Sequence, residues 1–199
     1  MKFNEAIEIV LKHEGGFSDH PNDTGGATRY GITERVARGA GYEGDMKELP
    51  LDTAKDIYRQ NYWDRMRLDE IEDGRLRLLL MDTGVNMGVG TAGRILQRAH
   101  NLLSEGQITV DGAIGPITLE HINQINRRDN LLYTVEILRG YRYLEIVKNN
   151  GSQRVFIHGW FNRLRSVAGR GGELIIKEGE ISVDDAIYKL ADLLVEKLK

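Results

Sequence analysis

The sequence predicts a mainly α-helical protein of about eight helices, with little or no strand. Three observations predict it. Apolar residues recur at the three-and-four spacing of an amphipathic helix along most of the chain. The runs are bounded by Gly, Pro, Asn and Asp, as helix ends are. One run, around Leu76 to Val85, is apolar on nearly all sides and so reads as a buried central helix.

Taken in order, Asn4 is expected to cap a first helix whose buried stripe is Phe3, Ala6, Ile7, Val10 and Leu11, stopping at Gly15-Gly16. After a polar loop, Thr33 is expected to cap a short helix through Ala37, ended by Gly39, Gly41 and Gly44. The next helix starts after Leu49-Pro50, with Ala54, Ile57, Tyr58, Asn61 and Tyr62 on one face, and closes at Tyr62-Trp63. The central helix gives way to Thr83-Gly84-Val85-Asn86-Met87-Gly88, small and polar residues expected to line a cleft floor. A fifth helix carries Ala92, Ile95, Leu96, Ala99, Leu102 and Leu103. A turn-rich stretch, Val110 to Gly115, leads to Pro116, which suits the first position of a helix bearing Leu119, Ile122 and Ile125. A long helix runs from a cap at Asp129 to Asn149-Asn150-Gly151, and one more from Gln153 to Val167. Beyond Gly169 a small hairpin (Glu173 to Ile181) and a final helix, with Ser182 and Asp185 as a capping box, are expected.

The chain is organised around the segment from His13 to Thr33. Two glycine pairs, Gly15-Gly16 and Gly25-Gly26, bracket a loop with a carboxylate at each flank. The reading brings Glu14, Asp23 and Thr28 to one cleft. An acid at a helix end, a second acid and a hydroxyl suit hydrolysis of a glycosidic bond. The partial negative charge of a helix C-terminus and desolvation in a cleft both favour a carboxyl that keeps its proton, as a general acid must.

Composition narrows the alternatives. At 199 residues the chain suits one domain or two small lobes. A net charge of −3 argues against a dedicated nucleic-acid binder. The absence of cysteine excludes disulfides and thiol sites. The five histidines show no metal-ligand spacing, and neither metal nor cofactor is expected. No apolar run approaches the ~18–20 residues of a membrane helix, and no signal peptide is read at the start. From Arg127 to Arg170 nine Lys/Arg stand against Asp129, Glu136 and Glu145. They form either a basic face toward an anionic polymer or an ordinary solvated helix surface.

At Glu14-Gly15-Gly16-Phe17 the sequence resembles glycoside hydrolase family 108, N-acetylmuramidases of phages and bacteria with a lysozyme-like helical fold. Asn22-Asp23, Gly25-Gly26, Thr28 and Gly31-Ile32-Thr33 look like the same family's loop, and Tyr62-Trp63 and Asp82 through Gly88 like its later blocks. Phe17 stands where that signature has tyrosine, which keeps ring packing and loses a hydroxyl contact. Leu96-Gln97, Asp111-Gly112, Gly115-Pro116, Thr118 and Gly159-Trp160-Phe161-Asn162-Arg163 resemble the peptidoglycan-binding-type domain that accompanies the family. The implied organisation is a catalytic region over 1–90, a peptidoglycan-binding-type helical region over 91–170, and a tail over 171–199 of unknown role.

The resemblance implies that Glu14 is the catalytic acid. The order Glu14, Asp23, Thr28 also looks like the trio of the phage T4-type lysozymes, which makes Asp23 the base or electrostatic partner and Thr28 the residue that places water. Tyr30 and Asn86 are expected as sugar contacts, and Trp63 and Trp160 as core. The expected activity is cleavage of the β-1,4 bond between N-acetylmuramic acid and N-acetylglucosamine in bacterial peptidoglycan by a monomeric endolysin. It would wait in the host cytoplasm and reach the periplasm and wall once a holin opens the membrane. The loop between the two acids is expected to hold them apart, which implies an inverting reaction. A lytic transglycosylase at the same bond, and a non-catalytic wall-binding or secretion-accessory protein, are the alternatives.

Overall fold

The computed structural model describes residues 1–18 and 27–168. Among them the fold is mainly α, eight α-helices and one two-stranded sheet. The expected hairpin and helix after Gly169 lie outside the described residues, as does Asp23.

Helix α1 (Phe3–Leu11) buries Phe3, Ala6, Ile7 and Val10, while Leu11 is only half-buried. Its cap is Lys2: the Glu5 carboxylate accepts the Lys2 backbone N–H at 2.7 Å, and the expected cap, Asn4, lies inside the first turn. The helix ends at Leu11, three residues before Glu14, and beyond Lys12 the amides bond back as turns, His13 N–H to Val10 O and Glu14 N–H to Leu11 O. Strands β1 (Thr28–Arg29) and β2 (Ile32–Thr33) form an antiparallel hairpin, with Thr28 opposite Thr33 and Arg29 opposite Ile32.

Helix α2 (Glu34–Gly39) follows at once. Thr33 occupies the cap position, but its side chain makes no capping bond; the Glu34 amide donates to Ala27 O instead. Arg38 then organises the glycine-rich loop, donating to the carbonyls of Tyr42 and Gly44 at 2.8 Å each. Helix α3 (Leu51–Tyr58) starts after Pro50 and continues as a π-helical turn over Arg59–Asp64. Trp63 is fully buried, edge-on to Phe3 at 5.5 Å between ring centres, and is a core residue as expected.

Helix α4 (Gly74–Met87) is the buried centre, with Leu76 and Leu78 through Met81 all inside. Asp73 caps it by accepting the Arg75 amide. The helix runs two residues further than the pattern suggests. Of the stretch expected to line a cleft floor, Thr83 and Gly84 are buried, Val85, Asn86 and Met87 are half-buried and Gly88 is exposed, and Thr83 Oγ1 donates to Leu79 O. Gly88, at φ 87°, makes the sharp joint to α5 (Val89–Leu103). Helix α6 (Pro116–Gln124) has proline in its first turn, and α7 spans Arg128–Asn149. The last predicted helix is two pieces: a 3₁₀ turn (Gly151–Phe156), begun by Asn150 accepting the Ser152 amide, and then α8 (Ile157–Val167).

Contacts divide the chain into two compact units, Met1–Arg139 and Gly140–Lys199. In the second, Leu144, Val147 and Ile157 pack with Tyr141, Trp160 and Phe161, and Trp160 stacks on Tyr143 at 5.1 Å. Among the described residues no helix is long and apolar enough to cross a membrane.

Candidate functional site

Glu14 sits half-buried in the turn after α1, where no regular element fixes its side chain. Its carboxyl is placed by what packs on it. A β-carbon built on Gly31 would lie 2.6 Å from Glu14 Oε2 and 2.6 Å from the Tyr58 hydroxyl. The bare glycine thus lets the carboxyl, the hairpin turn and the phenol meet at one point.

The turn is the tight kind that joins paired strands through two left-handed residues, Tyr30 at φ 53° and Gly31 at φ 72°. Glycine takes this conformation freely, whereas tyrosine is strained in it. Tyr58, from α3, is buried and donates its O–H to the Tyr30 carbonyl at 2.8 Å. Arg29 lies over the Tyr30 ring, 5.1 Å from its centre.

Thr28 has two backbone partners. It pairs with Thr33 in the hairpin, and it bridges to Ser18 through Ser18 N–H to Thr28 O at 2.8 Å and Thr28 N–H to Ser18 O at 2.7 Å. The Ser18–Thr28 bridge ties the end of the segment after Glu14 to the start of the hairpin. Thr28 is half-buried in that position, and Ser18, at the other end of the bridge, lies four residues after Glu14. Asp23 itself lies outside the described residues. Phe17 is exposed, with the Lys47 ammonium 5.5 Å above its ring.

Tyr62 stands in the π-helical turn, its ring 5.6 Å from that of Tyr58. Burial pushes the Tyr62 phenol above its ordinary range, and the nearby Glu14 charge pushes the same way. Tyr62 therefore belongs to the surroundings of Glu14. Asn86 is half-buried in the last turn of α4, one helical turn after Asp82. The structure thus brings together Glu14, the Tyr30–Gly31 turn, Tyr58 and Tyr62. The first two were legible in the glycine-rich segment. Tyr58 was visible only as an apolar-face residue of a helix and Tyr62 as part of the Tyr62-Trp63 block, and the irregular π-helical turn that follows Tyr58 has no signature in the periodicity.

The motif pieces of the second half have a structural task. Gln97, buried on α5, donates to Asp111 Oδ1 at 2.8 Å and to Ala113 O at 3.0 Å, and accepts the Gly112 amide at 2.7 Å. The Gln97 bond, followed by that of the Ala113 amide, holds the Asp111 carboxyl below the usual carboxylate range. A side chain at Gly93 would collide with the Gly112 carbonyl, so the turn lies flat on α5. Gln97, Asp111, Gly112 and Thr118 tie this turn to its helix.

Within the basic stretch three arginines have acidic partners. Arg139 is fully buried on Asp82, Arg128 pairs with Glu72, and Arg142 with Glu145. A crevice of about 340 Å³ opens beside the end of α5, lined by Leu103, Ser104, Gln124, Asn126, Arg127 and Asn130 among others. Among the described residues no group of three His, Asp or Glu stands together to hold a metal ion.

Residues 7–88, which include every candidate site residue, match the family described as Glycosyl hydrolase 108. Residues 91–165 match the Predicted Peptidoglycan domain, which takes in the Gln97 turn. No curated protein matches the chain. The solved structure of Brucella abortus SagA is similar to it, with a TM-score of 0.67 and 29% identity over 84% of this chain and 92% of that one.

Proposed function

We propose that this chain, whose residues 7–88 match glycosyl hydrolase 108 and whose residues 91–165 match the predicted peptidoglycan domain, cleaves the β-1,4 bond between N-acetylmuramic acid and N-acetylglucosamine, with Glu14 as the general acid. The observation that carries this reading is the packing of the Glu14 carboxyl against the bare backbone of Gly31 and the Tyr58 hydroxyl, with the segment after Glu14 tied to the hairpin by the Ser18–Thr28 bridge. A carboxyl fixed in this way can meet the oxygen of a bound glycosidic linkage.

Glu14 protonates that oxygen as positive charge builds on the departing sugar ring. Asp23 activates a water or steadies the charge, and Thr28 helps to place the water. Tyr30 and Asn86 contact the sugars. In the same proposal the enzyme is an endolysin that meets the wall once a holin opens the host membrane, and the second family region holds it on peptidoglycan.

Glu14→Gln tests the reading. The amide has nearly the same shape and no acid proton, so the fold stays and lysis falls by at least ~10²–10⁴-fold. Near-normal clearing of cell walls by a correctly folded Glu14→Gln protein sinks the assignment. Mass analysis of the wild-type products adds the reaction class: a reducing end marks hydrolysis, and an anhydro sugar end marks a transglycosylase instead.

A further inference from the structure

The carboxyl proposed as the acid comes from a turn, and a glutamate side chain has three rotatable bonds, so something outside that turn must hold it. The candidate is the Tyr30–Gly31 turn, whose glycine backbone lies against Glu14 Oε2. That turn is itself conditional. Its first residue is a tyrosine in the left-handed region, where Asn or Asp would be preferred, so the hairpin sequence alone holds this geometry weakly. The Tyr58 hydroxyl supplies an anchor from 28 residues away, donating to the Tyr30 carbonyl at 2.8 Å from a buried position on α3. It also touches the same point above Gly31 as the Glu14 carboxyl.

We infer that Tyr58 is a positioning residue for the reaction: by anchoring the Tyr30–Gly31 turn it sets the place of the Glu14 carboxyl. The inference rests on the reading of Glu14 as the acid. Gly31 is its mechanical partner. A methyl there would displace the carboxyl or the phenol, so the site requires glycine for space as well as for its left-handed backbone.

The test is Tyr58→Phe, which keeps the ring and its contact with Tyr62 and removes the anchoring hydroxyl. It is assayed on soluble, uncrosslinked glycan strands, with kcat taken per folded molecule as counted by circular dichroism. Misplacing a reacting group by about 1 Å can cost ~10²-fold, so kcat should fall ~10–100-fold. KM should stay within about twofold, because the hydroxyl acts on the acid and not on sugar binding. Glu14→Gln is run beside it. If Glu14→Gln turns over like the wild type, the reading of Glu14 fails and the role of Tyr58 falls with it. If Glu14→Gln is inactive while Tyr58→Phe keeps its kcat per folded molecule, Tyr58 positions nothing and only this inference is overturned. A rise in KM with kcat intact overturns it as well, by making Tyr58 a binding residue.

Discussion

Arg139 on α7 and Asp82 on α4, 57 residues apart, form a fully buried ion pair, the Arg139 Nη2 donating to Asp82 Oδ2 at 2.6 Å. A charge pair without solvent is held by its geometry, and each partner is costly to leave alone. Asp82→Ala is therefore expected to cost ~3–5 kcal/mol in urea unfolding, because it leaves a guanidinium buried without its counter-charge. The double change Asp82→Leu with Arg139→Met should cost much less than the single one. If the double variant is as unstable as Asp82→Ala, lost packing and not the stranded charge explains the effect.

Asp73 makes stability depend on pH. Its carboxyl lies below the usual range, first through the bond from the Arg75 guanidinium and then through backbone amides at the start of α4. A depressed value means that its contribution is complete above the unfolded value, ~3.9, and is lost as pH falls through the lower folded value. Asp73→Ala removes a helix cap and should cost ~0.5–2 kcal/mol at neutral pH. The gap to the wild type should close in acid. Unfolding curves that keep a constant gap down to strongly acidic pH would show that the cap works without its charge.

Tyr30 separates strain from use. A left-handed conformation costs a side-chain-bearing residue ~1–2 kcal/mol, and asparagine tolerates it better. Tyr30→Asn should therefore leave the melting temperature equal or higher while lowering activity, if the ring contacts a sugar. Full activity in a stable Tyr30→Asn protein would leave Tyr30 as a turn residue only.

The stereochemical outcome depends on the separation of the Glu14 and Asp23 carboxyls. Carboxyls ~6.5–9.5 Å apart leave room for a water on the far face of the sugar, whereas ~5–5.5 Å suits direct attack. The proposed task of Thr28, placing a water, fits the first geometry. The α-anomer is expected as the first product in time-resolved NMR. A β-anomer appearing first, or a covalent adduct on Asp23, reverses the role given to Asp23 and leaves Glu14 as the acid.

The helical order was readable because it depends on local patterning. Phe3, Ala6, Ile7 and Val10 recur at helical spacing and are buried together, and the all-round apolar run at Leu78 to Met81 is the central helix. Helix ends were less readable, since caps depend on which group reaches an amide first. Glu5 serves Lys2 where Asn4 was expected, and the Thr33 hydroxyl makes no capping bond to α2 although Thr33 occupies the cap position. The basic stretch held one exception for a related reason: residue counts do not reveal that Arg139 points inward to Asp82.

By itself the sequence determined the helical class and the order of the helices among the described residues, and it singled out Glu14 and Asp23 as candidate acids. These follow from periodicity, glycine positions and residue chemistry within a few neighbours. Only the tertiary structure decided that Tyr58 reaches across 28 residues to the Tyr30 carbonyl, that Gly31 is the space in which Glu14 and that phenol meet, and that Gln97 gathers Asp111, Gly112 and Thr118 into one turn. Such contacts have no period and no fixed spacing. They exist only where folding brings distant backbone together, and there a hydrogen bond or a missing β-carbon sets the place of a carboxyl.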